Sequence, residues 1–196
     1  MDRSVRPWFP LTALVLGVAT LIGAIYLTVA VPRGSNAGAT VGGPFRLTGP
    51  DDHIVTDQDL RGEPFLVFFG FTHCPDVCPT TLFEMSELLR KMGPDKKIRA
   101  LYISVDPERD TPAVLKDYLA SFDPRIIGLS GPRADVEAAM RAYRVYAKKV
   151  PLEDGNYTMD HTALVYLMDK GGKFVNVFNL EQPVEQATQQ LSLIHI

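Results

Sequence analysis

An α/β sheet domain hung from a single N-terminal membrane-crossing helix is what this sequence predicts, and three observations carry that reading. Short apolar runs of strand character alternate with helix-spaced segments throughout the chain after residue 44. No Asp, Glu, Lys or Arg interrupts the stretch from Pro7 to Pro32, which exceeds the roughly 20 apolar residues a spanning helix needs. The only two cysteines, Cys74 and Cys78, share one turn of chain. They are too few for the disulfide framework of a small secreted domain. A net charge of −3 over 196 residues offers no basic surface, so no nucleic-acid partner is expected.

The N-terminal segment comes first. Leu11 to Val31 is almost wholly apolar, with Trp8 and Tyr26 towards its ends, where aromatics suit the headgroup region. Arg3 and Arg6 precede it, which by the positive-inside rule leaves the N-terminus in the cytoplasm and sends the rest of the chain across. A cleaved secretory signal ending near Thr28-Val29-Ala30 is the alternative, although signal cores run only about 7–15 residues. Either reading exports the domain. The expectation is a bacterial inner-membrane protein, single-pass, with its domain in the periplasm. A mitochondrial inner-membrane protein would share the layout, but no Arg- and Ser-rich presequence stands before Trp8. The organisation is thus an anchor over 1–32, a small-residue tether over 33–44, a domain over 45–190 and a tail over 191–196. That tail, Leu191-Ser192-Leu193-Ile194-His195-Ile196, matches one translated frame of a common sequencing adapter and is expected to be non-native, which removes His195 as a ligand.

Within the domain, Phe45–Leu47 and His53–Val55 flank a Gly49-Pro50-Asp51 turn and predict a hairpin. Phe65–Phe69 is continuously apolar, as in a strand buried on both faces. Pro79 suits the first turn of a helix, and Leu82, Met85, Leu88 and Leu89 follow at helical spacing until Gly93-Pro94. A strand over Ile98–Val105, a helix from Thr111-Pro112 to Phe122, a strand at Ile126–Leu129 and a helix from about Ala134 to Tyr143 come next. Ala163–Met168 and Phe174–Phe178 alternate around Asp169-Lys170-Gly171-Gly172, a hairpin signal, and a last helix begins after Pro183. This order suggests a thioredoxin-like fold.

The chemistry gathers at Gly70-Phe71-Thr72-His73-Cys74-Pro75-Asp76-Val77-Cys78-Pro79, between a buried strand and a helix. Sulfur at a helix N-terminus is drawn towards thiolate, the form that binds soft metals and attacks disulfides. Two chemistries stay open: metal binding and thiol–disulfide exchange. A third donor favours metal. His161 stands just before the strand Ala163–Met168, and in a thioredoxin-like sheet the loop before that strand faces the cysteine loop. Two thiolates and one imidazole suit Cu(I), and they also suit zinc with a fourth ligand. His73, beside Cys74, is a rival donor, while His53 has no partner nearby in sequence.

Three separated stretches, Phe69 to Pro79, Ser104-Val105-Asp106-Pro107-Glu108-Arg109-Asp110-Thr111-Pro112 and Asp160-His161-Thr162, together resemble the Sco/SenC family over roughly residues 45 to 179. The resemblance implies copper ligands at Cys74, Cys78 and His161, holding Cu(I) and Cu(II). It implies a role in assembling the binuclear copper centre of cytochrome c oxidase subunit II. Asp106 and Asp110 match the family's acidic motif beside the site, where they tune it from behind the ligands; turn formation and capping of the following helix is their plainer role. Oxidation of Cys74 and Cys78 to a disulfide would abolish Cu(I) binding, so a periplasmic thiol reductant is an expected partner. The competing activity is a thiol–disulfide reductase acting on the cysteines of that oxidase subunit, against which the three-residue spacing counts.

Overall fold

The computed structural model describes residues 16–22 and 41–193. The chain divides into two units, 1–39 and 40–196. In the first unit the described residues 16–22 form a helical stretch in which Thr20 Oγ1 donates to the carbonyls of Leu16 and Gly17. No helix among the described residues is long and apolar enough to cross a membrane. Most of the expected anchor (1–15 and 23–32) and of the tether (33–40), with residues 194–196 of the expected tail, lies outside the described residues.

The second unit is built on a five-stranded sheet. Its strands are β3 (Phe65–Gly70), β4 (Arg99–Ser104), β5 (Ile126–Leu129), β8 (Val165–Met168) and β9 (Phe174–Val177), in the order β5-β4-β3-β8-β9. β3, β4 and β5 run parallel, and β8 and β9 continue the sheet antiparallel. Two further pairs form sheets of their own, the first bridged from Thr48 to Ser130 just past β5. β1 (Arg46–Thr48) pairs with β2 (Ile54–Thr56), and β6 (Ala147–Pro151) with β7 (Tyr157–His161). The helices are α1 (Val77–Met92), α2 (Pro112–Leu119), α3 (Arg133–Tyr143) and α4 (Val184–Leu193).

Every residue of β3 is buried, because the crossover connections of a parallel sheet lay helices over both its faces. Successive side chains of the strand show this directly. Phe68 points to one face, where its ring packs on Tyr102 of β4, which in turn meets Tyr118 of α2. Phe69 points to the other, against Tyr143 of α3 and Tyr166 of β8. Each such ring contributes about 1.5–3 kcal/mol by leaving water. α2 lies so close on β5 that a β-carbon at Gly128 would meet Leu119 Cδ1 at 2.7 Å and Leu115 Cβ at 3.0 Å, so a larger residue there would push the helix outward.

The expected elements are present with shifted ends. α1 opens at Val77, two residues ahead of Pro79, which lies within its first turn. α2 stops at Leu119 instead of Phe122; Thr111 caps it, its Oγ1 accepting from the Val114 N–H at 3.3 Å. The β6–β7 hairpin was not expected at all. His161 therefore does not sit in a plain loop before β8 but ends β7, paired with Ala147. Its signal was the turn Glu153-Asp154-Gly155-Asn156, where Gly155 takes φ +81°, a conformation glycine adopts without steric cost. The last turn of α4 packs inward, since Leu191 is fully buried.

Candidate metal centre

The site forms where β3 runs out. Gly70 ends the strand, and the chain loops through Phe71 to Asp76 before α1 begins. A turn from the Cys74 N–H to the Phe71 carbonyl (3.2 Å) compacts this loop. Asp76, at the head of α1, makes no side-chain cap; instead the Cys78 N–H donates to Cys74 Sγ at 3.4 Å. Cys74 sulfur thus occupies the place of a helix cap, satisfying one of the N–H groups a helix start leaves open. The two cysteines differ in setting: Cys74 is half-buried, Cys78 is fully buried in the first turn of α1, and both are free thiols.

His161 reaches the same point from the other side. Cys74, Cys78 and His161 place one ligand atom each within 4.8 Å of one another, and Cys78 Sγ lies 3.7 Å from His161 Nε2. An ion with bonds of ~2.3 Å to sulfur and ~2.0 Å to nitrogen sets those two atoms ~3.5–3.7 Å apart at tetrahedral to trigonal angles. The Cys78–His161 pair is therefore already at the separation a thiophilic metal requires, with Cys74 Sγ within 4.8 Å of both. His161 Nδ1 lies 3.0 Å from the Thr162 carbonyl, a contact only a protonated Nδ1 can make, so Nε2 carries the lone pair and faces the sulfurs. Burial holds the His161 pKa below the usual histidine value, with the Thr162 carbonyl and Asp160 opposing, which keeps the ring in its ligating form.

Electrostatics revises one sequence expectation. The helix start was expected to favour thiolate at both cysteines, but burial pushes the Cys78 thiol up to about 12, against a smaller downward pull from the Phe71 backbone. Desolvation wins because the sulfur is sealed from water, whereas the helix N-terminus supplies only partial charge. The Cys78 proton can then be donated towards His161 Nε2.

Asp106 and Asp110 are both buried and neither touches a ligand atom. Capping of α2 falls to Thr111, not to either of them. Asp110 accepts from the Thr72 N–H (3.0 Å), Thr72 Oγ1 (2.6 Å) and Ser104 Oγ (2.6 Å), which ties the cysteine loop to the end of β4. Asp106 accepts from Arg109 Nε and from the Tyr157 hydroxyl at 3.0 Å. Arg109 Nη1 in turn donates to the Tyr157 carbonyl at 2.9 Å and its guanidinium lies 3.8 Å over the Tyr157 ring, so the two residues clamp the hairpin that ends in His161. At the other end of the hairpin, the Thr162 N–H bonds the Tyr146 carbonyl and the Tyr146 N–H bonds Thr162 Oγ1. Phe71, buried behind the loop, meets the His161 ring edge-on at 5.6 Å. Of the other histidines, His73 is exposed with Nδ1 against Thr72 Oγ1 at 3.0 Å, and neither it nor His53 joins the cluster. His195 lies outside the described residues. Sequence reasoning missed Phe71, Tyr102, Arg109 and Tyr157, whose roles depend on contacts far apart in the chain.

Gly70 is a point of close approach. A β-carbon there would meet the Tyr102 hydroxyl at 2.8 Å and Cys78 Sγ at 2.9 Å. Both neighbours are buried and the ring is rigid, so Gly70→Ala is expected to cost about 1–3 kcal/mol of stability by overpacking. It should also displace Cys78 and weaken metal binding more than the stability loss alone explains. Thermal unfolding and metal titration of the same variant check this.

The SCO1/SenC family model matches residues 33–194. A curated relative from Arabidopsis thaliana, "Protein SCO1 homolog 1, mitochondrial", is 38% identical over 82% of this chain and 49% of its own. The chain thus spans about half the length of that mitochondrial relative. A "SCO2-like protein" from Rickettsia felis is 34% identical over 91% of this chain and 93% of its own. Among solved structures, copper-bound ScoI from Bradyrhizobium japonicum superposes with a TM-score of 0.76 at 59% identity, covering 79% of this chain and 99% of that one. With the motif stretches, the sheet order and the family match in agreement, the chain belongs to the SCO1/SenC family.

Proposed function

We propose that this protein is a copper-binding metallochaperone that serves cytochrome c oxidase assembly, passing copper to the binuclear centre of subunit II. The observation that carries the reading is the convergence of two cysteine sulfurs and one lone-pair imidazole nitrogen within 4.8 Å. Copper bound to a relative at 59% identity supports it. Two sulfurs and an imidazole are soft, few and suited to Cu(I).

The residues divide the work. Cys78, deep in the site, anchors the ion, and its proton is what the metal displaces. Cys74, half-exposed, is the sulfur an incoming partner reaches first. His161 rides on a hairpin held at both ends, which presents Nε2 while keeping it at the edge of the domain. Three ligands leave a flank through which a partner's thiols and imidazoles replace them one at a time. The three residues between Cys74 and Cys78 count against a reductase, which normally separates its two cysteines by two. Export across a bacterial inner membrane on the 1–32 anchor, and upkeep of the thiols by a periplasmic reductant, complete the proposal.

The test is copper titration of the reduced protein under anaerobic conditions. One tightly held Cu(I) per chain is expected, with His161→Ala weakening retention at least about tenfold. The loaded protein should then transfer copper to the metal-free soluble domain of subunit II, read by the growth of that centre's absorption. Unchanged affinity in the variant would remove His161 from the ligand set. Failure of transfer, alongside rapid reduction of the subunit's disulfide by metal-free protein, would make it a reductase.

A further inference from the structure

Behind the ligands lies a buried polar atom that neither packing nor the ligand set explains. Tyr102 of β4 is fully buried, and its hydroxyl makes no well-formed hydrogen bond, Cys78 being the side chain it leans on. Buried phenol hydroxyls are normally paired, and an unpaired one costs about 1–3 kcal/mol. Phenylalanine would fill the same space against Phe68 and Tyr118 without that cost. The hydroxyl lies in the space left free by Gly70, where an added β-carbon would meet it at 2.8 Å and Cys78 Sγ at 2.9 Å. A thiol sulfur is a weak acceptor. A metal-bound thiolate is a strong one, and metal binding makes that change at Cys78.

We propose that Tyr102 is the hydrogen-bond donor to the Cys78 thiolate in the metal-loaded protein, and that this bond biases the site towards Cu(I). The inference rests on the copper reading above and deepens it. A donor on the sulfur draws electron density away from the metal, which favours the reduced ion, as hydrogen bonding around a ligating sulfur tunes other copper–thiolate sites. The poorly paired hydroxyl is thus held in the metal-free protein beside a sulfur that becomes a strong acceptor on loading. Tyr102 acts through Cys78 and does not itself ligate.

The test is Tyr102→Phe in the full-length protein, read by thiolate-to-Cu(II) absorption, by the ratio of Cu(I) to Cu(II) affinity, and by thiolate-to-Co(II) absorption as a probe of sulfur independent of copper. The metal-free variant is expected to fold and melt at or above the wild-type temperature, since a poorly paired hydroxyl has been removed. Its Cu(II) and Co(II) charge-transfer bands should move to longer wavelength, and its preference for Cu(I) over Cu(II) should fall severalfold, the part of one hydrogen bond to a charged acceptor that differs between the two ions. Unshifted bands and an unchanged ratio at full metal stoichiometry would overturn the role of Tyr102. A wild type that takes Co(II) but no copper would overturn the copper reading alone, with the Co(II) band still deciding on Tyr102. A wild type that takes neither would overturn both.

Discussion

Exchange of Cys78 for serine is expected to abolish copper retention, a fall of more than about a hundredfold in affinity, beyond what loss of an outer partner costs. The physical reason is that Cys78 is the one ligand sealed from water and central to the cluster, with His161 Nε2 at 3.7 Å. A serine hydroxyl is a hard donor that will not ionise beside a soft ion. Its effect on the fold is modest, about 1–2 kcal/mol, since the smaller side chain leaves a gap but finds Tyr102 and His161 as partners. Cys74→Ser should behave differently. Copper is lost, but the fold is kept, because the serine Oγ can accept the Cys78 N–H in place of sulfur and is a better helix cap. Retention of copper in Cys74→Ser would leave only Cys78 and His161 as ligands.

The same substitution carries a pH signature in the metal-free protein. The folded state holds the Cys78 proton up to about 12, whereas the unfolded chain releases it at its ordinary 9.0. The resulting stability is present below pH 9 and is lost as the pH rises towards 12. Denaturant midpoints should fall across that window in wild type, and Cys78→Ser should lack this part of the slope.

The parts of this molecule that were legible in its sequence are those where local pattern and burial agree. Phe65–Phe69 reads as a buried strand because nothing in it is polar, and α1 reads from Leu82, Met85, Leu88 and Leu89 because they all face the core. The Cys74–Cys78–His161 cluster was legible too, since Cys74 and Cys78 are the only cysteines and His161 belongs to a stretch with a family resemblance. The β6–β7 hairpin was not. No residue of its strands is buried, so Ala147–Pro151 and Tyr157–His161 carry no apolar face of the kind that marks a strand over a core. Nor could local sequence show that Cys78 would be sealed and Cys74 not, which depends on Tyr102 lying across Gly70. Asp106 and Asp110 divided the same way. Their nearness to a helix start suggested turn formation and capping; the Asp106 carbonyl does close a turn onto the Arg109 and Asp110 N–H groups, but the carboxylates also bond Tyr157 and Thr72, 51 and 38 residues away.

Replacement of Asp110 by alanine is the second large effect expected, and it links the fold to the site. The carboxyl group accepts three hydrogen bonds in a buried setting, from the Thr72 N–H, Thr72 Oγ1 and Ser104 Oγ. Deleting it leaves those donors without acceptors, each worth about 1–3 kcal/mol when unsatisfied. Hydroxyls can rotate to recover part of this, so the net loss should be about 3–4 kcal/mol. Asp110→Asn keeps one carbonyl oxygen in place and should lose less. Thr72 precedes Cys74 by two residues, so releasing it frees the loop that sets the first sulfur against the second. Copper affinity in Asp110→Asn, which stays folded, should therefore drop about 10–100-fold, as for other outer partners of metal ligands. Denaturant unfolding and Cu(I) competition on both variants separate the two consequences. If stability falls while Asp110→Asn binds copper as wild type does, Asp110 holds the fold alone and the cysteine loop is set by the turn from Cys74 to Phe71.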